Sequence, residues 1–284
     1  MSDFKKTIGD FYGKSARDLP WRRGITPYRV VVSEIMLQQT QVSRVARKFD
    51  AFIRKFPSFA ALAKAPLSDV LSEWQGLGYN RRALNLQRLA QTVTEKHKGK
   101  LPGTYDELVD LPGIGPNTAG SILAFAFDVP FPFIETNIRS VYIHFFFGEV
   151  EKKEGRKACK KIRDGQLLPL IEKTLAEAMK RGAFKNNPRE WYYALMDYGA
   201  FLKQTLPNPS RRSAHHVRQS KFEGSNRQLR ARILRFIMKG PKDLVEVEKE
   251  CADKRHTSID VRKNLDDLEK EGFIVKKIGT YSVK

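Results

Sequence analysis

A five-residue turn between two helical patterns constrains this 284-residue chain more than any other feature. The turn has the sequence LPGIG and occupies residues 111–115. Pro112 has no N–H and its ring clashes with a preceding helical turn, so the first helix must end there. Gly113 and Gly115 can take positive φ and let another backbone approach closely. The sequence here therefore predicts two helices joined by a tight turn.

The second helix of this pair is predicted to begin with Pro116, which suits the first helical turn. The free N–H groups near Asn117 and Thr118 would then point outward beside the turn and form a seat for a phosphate group. The alternative is an ordinary turn between two helices of a bundle. A carboxylate, Glu135, follows further along in the sequence FIETNIRSV.

The chain is strongly basic, with 52 Lys and Arg against 32 Asp and Glu and a formal net charge of +20. Such an excess attracts polyanions, so a nucleic acid is the predicted partner, and a generally basic surface is the alternative. A basic run at residues 152–161 could hold phosphates or form a solvated helix face.

The chain has no apolar run long enough to cross a membrane and no secretory signal at its start, which predicts a cytoplasmic protein, nucleoid-associated in a prokaryote. Its two cysteines, Cys159 and Cys251, cannot form a disulfide framework or supply a four-cysteine metal site. We therefore expect a protein of a reducing compartment.

Glu34 lies in a helical pattern among apolar neighbours, in the sequence VVVSEIML. Burial disfavours the charged form of a carboxyl, so its pKa should be raised, and a raised pKa suits a general acid at neutral pH. The alternative is a solvent-facing helix glutamate, which periodicity alone favours. The polar run that follows, residues 38–41, could read base edges or form a loop between two helices.

Two segments combine aromatic and basic side chains. Around Pro20, the segment LPWRRGITPYRV brings Trp21 and Arg22 together, and these could stack on a base and hold phosphates or form a surface loop with a buried Trp. Tyr79 and Arg81 follow a glycine-punctuated turn and would suit DNA contact or a solvated helix start.

Residues 227–284 begin a new pattern of three helices followed by two strands, which resembles a winged-helix module. Helix 257–271 would enter a DNA groove with Arg262 and Lys263 exposed. The alternative role is contact with another protein.

Four segments, read together, resemble the adenine DNA glycosylases of the helix-hairpin-helix superfamily, with endonuclease III as a more distant relative. They are LPWRR (19–23), TPYRVVVSEIMLQQTQV (26–42), WQGLGYNRRALNL (74–86) and LPGIGPNTAGSI (111–122). The order and spacing match over residues 4 to about 204.

The resemblance implies a mainly α, two-lobed fold with a DNA-facing cleft and a small α+β winged-helix-like module at the C-terminal end. One lobe would be residues 28–132, with the hairpin. The other would combine residues 1–27 with 133–205, followed by a basic linker (206–226) and the module (227–284).

The resemblance also implies hydrolysis of the N-glycosidic bond of a flipped-out base. Glu34 matches the family's glutamate that protonates the departing purine. Glu135 stands where the family has an aspartate, and would stabilise the cationic sugar. Asn137 matches the asparagine that supports this second carboxylate. Because Glu is one methylene longer than Asp, activity or substrate choice could differ.

Further positions are implied for base and DNA binding. Asn117 stands where endonuclease III has the lysine used for strand cleavage, so a glycosylase without a true lyase step is expected. The base pocket would contain Trp21, Arg22, Leu37, Asn117 and Asp197, the last reading adenine. The DNA-binding residues would be Gln39, Tyr79, Arg81, Gly113, Gly115, Thr118, Arg262 and Lys263.

The family normally carries four cysteines that bind a [4Fe–4S] cluster. Here Lys203 occupies the first ligand position and no cysteine follows until Cys251. We therefore predict no iron–sulfur cluster and no metal bound by the site residues. The hairpin could still bind a structural monovalent or divalent cation. His215 and His216, in a Ser- and Arg-rich segment, are not predicted to bind a metal.

The sequence thus predicts a monomeric, monofunctional DNA glycosylase of base excision repair that acts on double-stranded DNA. Its favoured substrate is adenine mispaired with 8-oxoguanine or guanine, although the domain with which many relatives recognise 8-oxoguanine is not found. One alternative is a glycosylase for another base, such as thymine or uracil in a G mispair, or hypoxanthine. The other is a non-catalytic DNA-binding protein.

Overall fold

A computed structural model of the chain describes residues 2–148, 161–217 and 219–284. Cys159 and the basic run at 152–160 lie outside these residues, whereas Cys251 is a buried free thiol. Within the described residues, no helix is long and apolar enough to cross a membrane.

The described residues are mainly helical, as the sequence predicts. The helices are α1 (Ser2–Ser15), α2 (Pro27–Leu37), α3 (Val42–Lys55), α4 (Phe59–Lys64), α5 (Leu67–Trp74), α6 (Arg81–Lys96), α7 (Tyr105–Val109), α8 (Pro116–Phe127), α9 (Thr136–Phe146), α10 (Asp164–Lys180), α11 (Pro188–Thr205), α12 (Asn226–Ile237), α13 (Leu244–Cys251) and α14 (Ser258–Glu271). Short 3₁₀ turns lie at Pro20–Arg22 and Pro209–Arg212. The strands are β1 (Lys242–Asp243), β2 (Ile274–Lys277) and β3 (Thr280–Val283).

The chain divides into two compact units. The first contains Met1–Glu34, Pro102–Asp110 and Ile114–Arg218. The second contains Ile35–Leu101, Leu111–Gly113 and Gln219–Lys284.

The core of the first unit is formed where α8, α9 and α11 pack together. Gly120 of α8 lets the segment that precedes α9 pack closely against this helix, because a Cβ there would lie 2.7 Å from the Cβ of Phe133. Phe125 of α8 stacks on Tyr193 of α11 with ring centroids 4.9 Å apart, and its carbonyl accepts a hydrogen bond from Arg189. These contacts place α8 in the same compact unit as α11, whereas the predicted lobe boundary at 132/133 separates them.

The second unit contains α3 to α6 and the C-terminal elements. Val45, Phe49 and Phe52 recur at helical spacing on α3 and are fully buried. The predicted break between α2 and α3 is present at residues 38–41. α5 begins after Pro66, which occupies the N-cap position without a side-chain hydrogen bond.

The C-terminal segment has the three predicted helices and two predicted strands, together with β1, which the sequence pattern did not predict. The sheet is antiparallel, with strand order β1-β3-β2 and with Lys276 paired to Tyr281. Thr257 caps α14 by accepting a hydrogen bond from Asp260 N, and Gly272 ends this helix at φ 87°. Because β1 is only two residues long, it has too few side chains for an alternating pattern to be recognised.

The LPGIG turn, residues 111–115, lies between α7 and α8. Gly113 has φ 83°, and a Cβ there would lie 3.0 Å from the Cβ of Asn85, so both the conformation and the space favour glycine. Gly115 does not use this freedom, because it has φ −100° and is the extended N-cap of α8. Pro116 is the first residue of α8, as predicted.

Candidate active site

Glu34 lies on α2 between the buried residues Ser33 and Ile35. Burial raises the pKa of its carboxyl to about 7. A hydrogen bond from Ser121 lowers this pKa, and the nearby negative charge of Glu135 raises it. A glutamate with this pKa is protonated in an appreciable fraction of molecules at neutral pH, which a general acid requires.

Ser121 of α8 contacts Glu34 at 2.5 Å, Oγ to Oε2. The same hydroxyl lies 3.0 Å from the carbonyl oxygen of Thr118. A hydroxyl has one proton to donate, so it can satisfy only one of these acceptors at a time. When Glu34 is ionised, Ser121 donates to it; when Glu34 is protonated, Ser121 can accept from Glu34 and donate to Thr118. This serine therefore accommodates both protonation states.

Glu135 is the N-cap of α9, and its orientation is fixed by that helix. Its Oε1 accepts hydrogen bonds from the backbone N–H groups of Asn137 at 2.8 Å and Ile138 at 2.9 Å. Its Oε2 accepts from the side chain of Asn137 at 3.3 Å. The N-terminal end of a helix favours negative charge. Asn137 thus contacts the second carboxylate, as the resemblance implies.

Lys203 of α11 contacts the other end of the same asparagine, with Nζ 2.7 Å from Asn137 Oδ1. Burial lowers the pKa of this lysine, and the charge of Glu135 partly opposes that shift. Gly199, one helical turn before Lys203, allows α11 to approach Asn137 this closely, because a Cβ there would lie 2.4 Å from Asn137 O.

Asp197 is buried and engaged by two arginines. Arg22 donates to both of its carboxylate oxygens, at 2.8 and 2.7 Å, and Arg17 donates through its backbone N at 2.8 Å and its Nε at 2.6 Å. Burial raises the pKa of Asp197, but the hydrogen bonds and charges of the two arginines outweigh it, so that the pKa is lowered. Arg22 also lies over the ring of Tyr193, 4.2 Å from its centroid. Arg22 and Asp197, both predicted to lie in the base pocket, therefore form an ion pair with each other.

The remaining base-pocket residues differ in exposure. Trp21 is buried, with 6% of its surface exposed, and Leu37 is partly exposed at the end of α2. Asn117 is exposed in the first turn of α8, and its Oδ1 accepts a hydrogen bond from Ile134 N at 3.3 Å. Thr118 is partly exposed in the same turn.

The second unit contains the predicted DNA contacts Gln39, Tyr79 and Arg81. All three line a cavity of about 760 Å³ in that unit, together with residues of α12 and of the segment before it. Gln39 and Tyr79 have left-handed backbones, with φ 54° and 50°. Such conformations cost of order 1–3 kcal/mol and cluster at ligand-binding sites.

The C-terminal segment contributes guanidinium groups to this cavity, including that of Arg227. Arg227 donates to the Tyr79 hydroxyl at 2.7 Å and lies 5.1 Å from its ring centroid. Gln219 also donates to this hydroxyl. The predicted groove residues of α14 lie elsewhere: Arg262 and Lys263 are exposed, and Arg262 pairs with Glu248.

The donor set of this chain does not fit an iron–sulfur cluster, because residues 203–250 supply no thiolate. Among the residues that the structure describes, no group of three or more His, Cys, Asp or Glu could hold a metal ion. Asn208, in the same stretch, accepts hydrogen bonds from both Ser210 N and Ser210 Oγ.

Sequence reasoning did not identify Ser121, Arg17, Gly199 or Lys203 as parts of the site. Their roles depend on contacts between residues far apart in the chain, such as the 87 positions between Glu34 and Ser121. The run of small residues at the start of α8 and the glycine in LMDYGAF are the signals that could have indicated close helix packing.

Comparison with known proteins shows what part of the chain is similar to. Residues 32–164 match the model of the HhH-GPD superfamily of base excision DNA repair proteins. The adenine DNA glycosylase of Buchnera aphidicola subsp. Baizongia pistaciae is 40% identical over 200 residues, covering 70% of this chain and 52% of that protein. The chain spans about half the length of the curated relatives it matches.

Solved structures agree on the fold. The structure of a thermostable thymine-DNA glycosylase is 28% identical with a TM-score of 0.57, covering 70% of this chain and 85% of that one. A trapped endonuclease III–DNA covalent intermediate has a TM-score of 0.50 at 20% identity and covers 69% and 81% of the two chains. The second likeness shows a shared fold only.

Proposed function

Residues 32–164 of this chain belong to the HhH-GPD superfamily of base excision DNA repair proteins, and we propose that the protein hydrolyses the N-glycosidic bond of adenine in mispaired double-stranded DNA. The proposal rests on one observation: burial raises the pKa of the Glu34 carboxyl to about 7, and a second carboxylate, Glu135, lies near it. Adenine is proposed because relatives at 40%, 39% and 38% identity are named adenine DNA glycosylases.

In the first step, protonated Glu34 donates its proton to the departing base while the C1′–N bond breaks. The bonding electron pair leaves with the base, and positive charge develops on the sugar. General acid catalysis of this kind typically contributes 10²–10⁴-fold in rate, and a pKa near the working pH is optimal. The Ser121 hydroxyl can then donate a hydrogen bond to the Glu34 anion that this step creates.

In the second step, the cationic sugar is stabilised by the Glu135 carboxylate and attacked by water at C1′. The water proton returns to a carboxylate, Glu34 being the one that has just lost its own. The products are the free base and an abasic site. Glu135 enters this step with both of its oxygens already oriented by Asn137 and Ile138, so little reorganisation accompanies the charge change.

Two features support DNA as the partner. The first turn of α8 exposes Asn117 after the Gly113 turn, and a helix N-terminus with free N–H groups suits a phosphate. The cavity beside Tyr79 is lined by several arginines, including Arg81 and Arg227, which would hold backbone phosphates or a base.

No strand-cleavage step is proposed. Asn117 carries an amide, which cannot form a Schiff base with an abasic sugar, and Lys203 is engaged with Asn137. No step of the proposed reaction requires a metal or cluster. We propose that the chain acts as a monomer.

A second candidate is release of thymine or uracil from G mispairs. It is favoured by the likeness to a thymine-DNA glycosylase structure at 28% identity, and by the longer Glu135 in place of the aspartate of the resembling family. An acid is less necessary for a base that leaves readily as an anion, so the buried Glu34 favours adenine over this candidate.

The experiment is single-turnover base release from labelled duplexes that pair A, T, U or hypoxanthine with G, C or 8-oxoguanine, with alkali added to reveal abasic sites. Release of adenine opposite G or 8-oxoguanine is the expected result. Release of T or U alone would support the second candidate. Tight binding without release from any duplex would identify a DNA-binding protein without glycosylase activity.

A further inference from the structure

Lys203 and Gly199 lie four residues apart on α11, so they occupy the same helix face, and this face meets the first turn of α9. A Cβ at Gly199 would be 2.7 Å from the Cβ of Asn137, which shows how closely the two helices approach. This approach brings the Lys203 amine within 2.7 Å of Asn137 Oδ1.

The lysine fixes which way the asparagine amide points. The amide has an acceptor end and a donor end, whereas an ammonium group can only donate. Lys203 therefore requires Oδ1 to face it, and Nδ2 must then face Glu135, where it lies 3.3 Å from Oε2. With the amide reversed, its oxygen would confront the carboxylate and its NH₂ would confront the ammonium.

The two oxygens of Glu135 are thus held by different groups. The helix end holds Oε1 through two backbone N–H groups, and that contact does not depend on Lys203. The direction of Oε2 depends on the Asn137 side chain alone among the hydrogen bonds formed by the described residues. Oε2 is therefore the oxygen whose position the lysine can control.

A purely structural role does not account for a lysine at this position. Its side chain is partly buried, and both Arg139 and Arg17 add positive charge nearby. A desolvated ammonium next to two arginines stabilises a helix contact less well than an apolar side chain of the same length would. The directional contact with Asn137 is what an apolar side chain could not provide.

We infer that Lys203 is a positioning residue, which acts through the Asn137 amide to hold Glu135 Oε2 in the direction needed to face the cationic sugar. This inference rests on the proposed function, because it assumes the role given there to Glu135. It gives α11 a role in orienting the second carboxylate, which the start of α9 carries.

The test compares binding of two uncleavable duplexes, one with a cationic pyrrolidine in place of the target sugar and one with a neutral tetrahydrofuran. The ratio of the two dissociation constants measures how well the site holds a cationic sugar, and it requires no base release. The variants are Lys203→Met, Lys203→Arg, and Lys173→Met as a control at an exposed lysine of α10.

The charge of Lys203 and its proposed positioning role predict opposite effects of Lys203→Met on the preference for the cationic duplex. Removing a positive charge near the site would, by Coulomb attraction alone, strengthen binding of the cationic duplex. If the lysine positions Glu135, the preference for the cationic duplex should instead fall, by roughly tenfold for loss of one hydrogen bond to a charged group. Lys203→Arg, which keeps a donor, should retain part of the preference, and Lys173→Met all of it.

The outcomes separate this inference from the proposed function. If the unsubstituted protein shows no preference for the cationic duplex, the role of Glu135 is wrong and the inference falls with it. If it shows the preference and Lys203→Met keeps or increases it, the inference alone is overturned. If Lys203→Met weakens binding of both duplexes equally, the lysine is a DNA phosphate contact and the inference is likewise overturned.

Discussion

Ser121 lies 2.5 Å from Glu34 although the two residues are 87 positions apart, on α8 and α2. The pair joins the helix that follows the hairpin to the acid that the proposed reaction requires. One helix, α8, therefore carries both the proposed phosphate-binding turn, with Asn117 and Thr118, and the residue that contacts the acid, Ser121.

The Ser121 hydroxyl should set the alkaline limit of activity. Base release needs protonated Glu34, so the single-turnover rate of the unsubstituted protein should fall as pH rises through about 7. Because the hydrogen bond from Ser121 lowers this pKa, Ser121→Ala should shift the fall to higher pH. Rate profiles from pH 5.5 to 9 measure both midpoints, and a shift to lower pH in the variant would contradict the assignment.

The buried carboxyl of Glu34 should make folding depend on pH. Its pKa is about 7 in the folded protein against an ordinary value of 4.5, so ionisation above pH 7 is unfavourable for the folded state. Glu34→Gln removes that penalty and should raise the free energy of unfolding by up to about 3 kcal/mol at pH 8, with a gain under about 1 kcal/mol at pH 5. Urea denaturation at the two pH values measures the difference; an equal effect at both would exclude ionisation as the cause.

Gly199 should be irreplaceable for packing of α9 on α11. Gly199→Ala places a Cβ 2.4 Å from Asn137 O, so we expect a loss of about 1–3 kcal/mol in the free energy of unfolding, typical of overpacking. Base release should also slow, because Asn137 supports Glu135. The matched control is Gly165→Ala on α10, where a Cβ meets no atom within 4 Å. Equal stability of the two variants would show that α9 can shift without cost.

Arg227 should contribute to DNA affinity through the cavity beside Tyr79. If it neutralises one phosphate, Arg227→Gln should reduce the slope of log affinity against log salt by about 1. Arg54→Gln, at an exposed arginine of α3 that does not line the cavity, is the control of equal charge. Duplex titrations between 50 and 200 mM salt give the slopes, and the same slope for both variants would exclude a phosphate contact specific to Arg227.

The sequence predicts the local features of this protein well and the long-range contacts poorly. The spacing of Val45, Phe49 and Phe52 is that of a helix, and Pro116 marks the start of α8, because each feature depends on neighbouring residues. Glycine at position 115 is compatible with positive φ, but as the N-cap of α8 its backbone is extended.

The site shows the same limit. Apolar neighbours within one helix indicate a raised pKa for Glu34, and the family resemblance decides against a solvent-facing glutamate. The hydrogen bonds from Ser121 to Glu34 and from Lys203 to Asn137 depend on how α8 and α11 pack, which the residue pattern does not encode locally. The resemblance implies that Asp197 reads adenine, but it does not predict the two arginine partners of this carboxylate, which lie 175 and 180 positions earlier.

The most direct measurement is single-turnover release of adenine from duplexes with A opposite G or 8-oxoguanine, using the unsubstituted protein and Glu34→Gln at pH 6. Glutamine keeps the shape of the side chain and cannot donate the proton, so we predict a loss of at least about 100-fold in rate with unchanged duplex affinity. Adenine release by Glu34→Gln at the unsubstituted rate would contradict the account, because the proton would then come from another group.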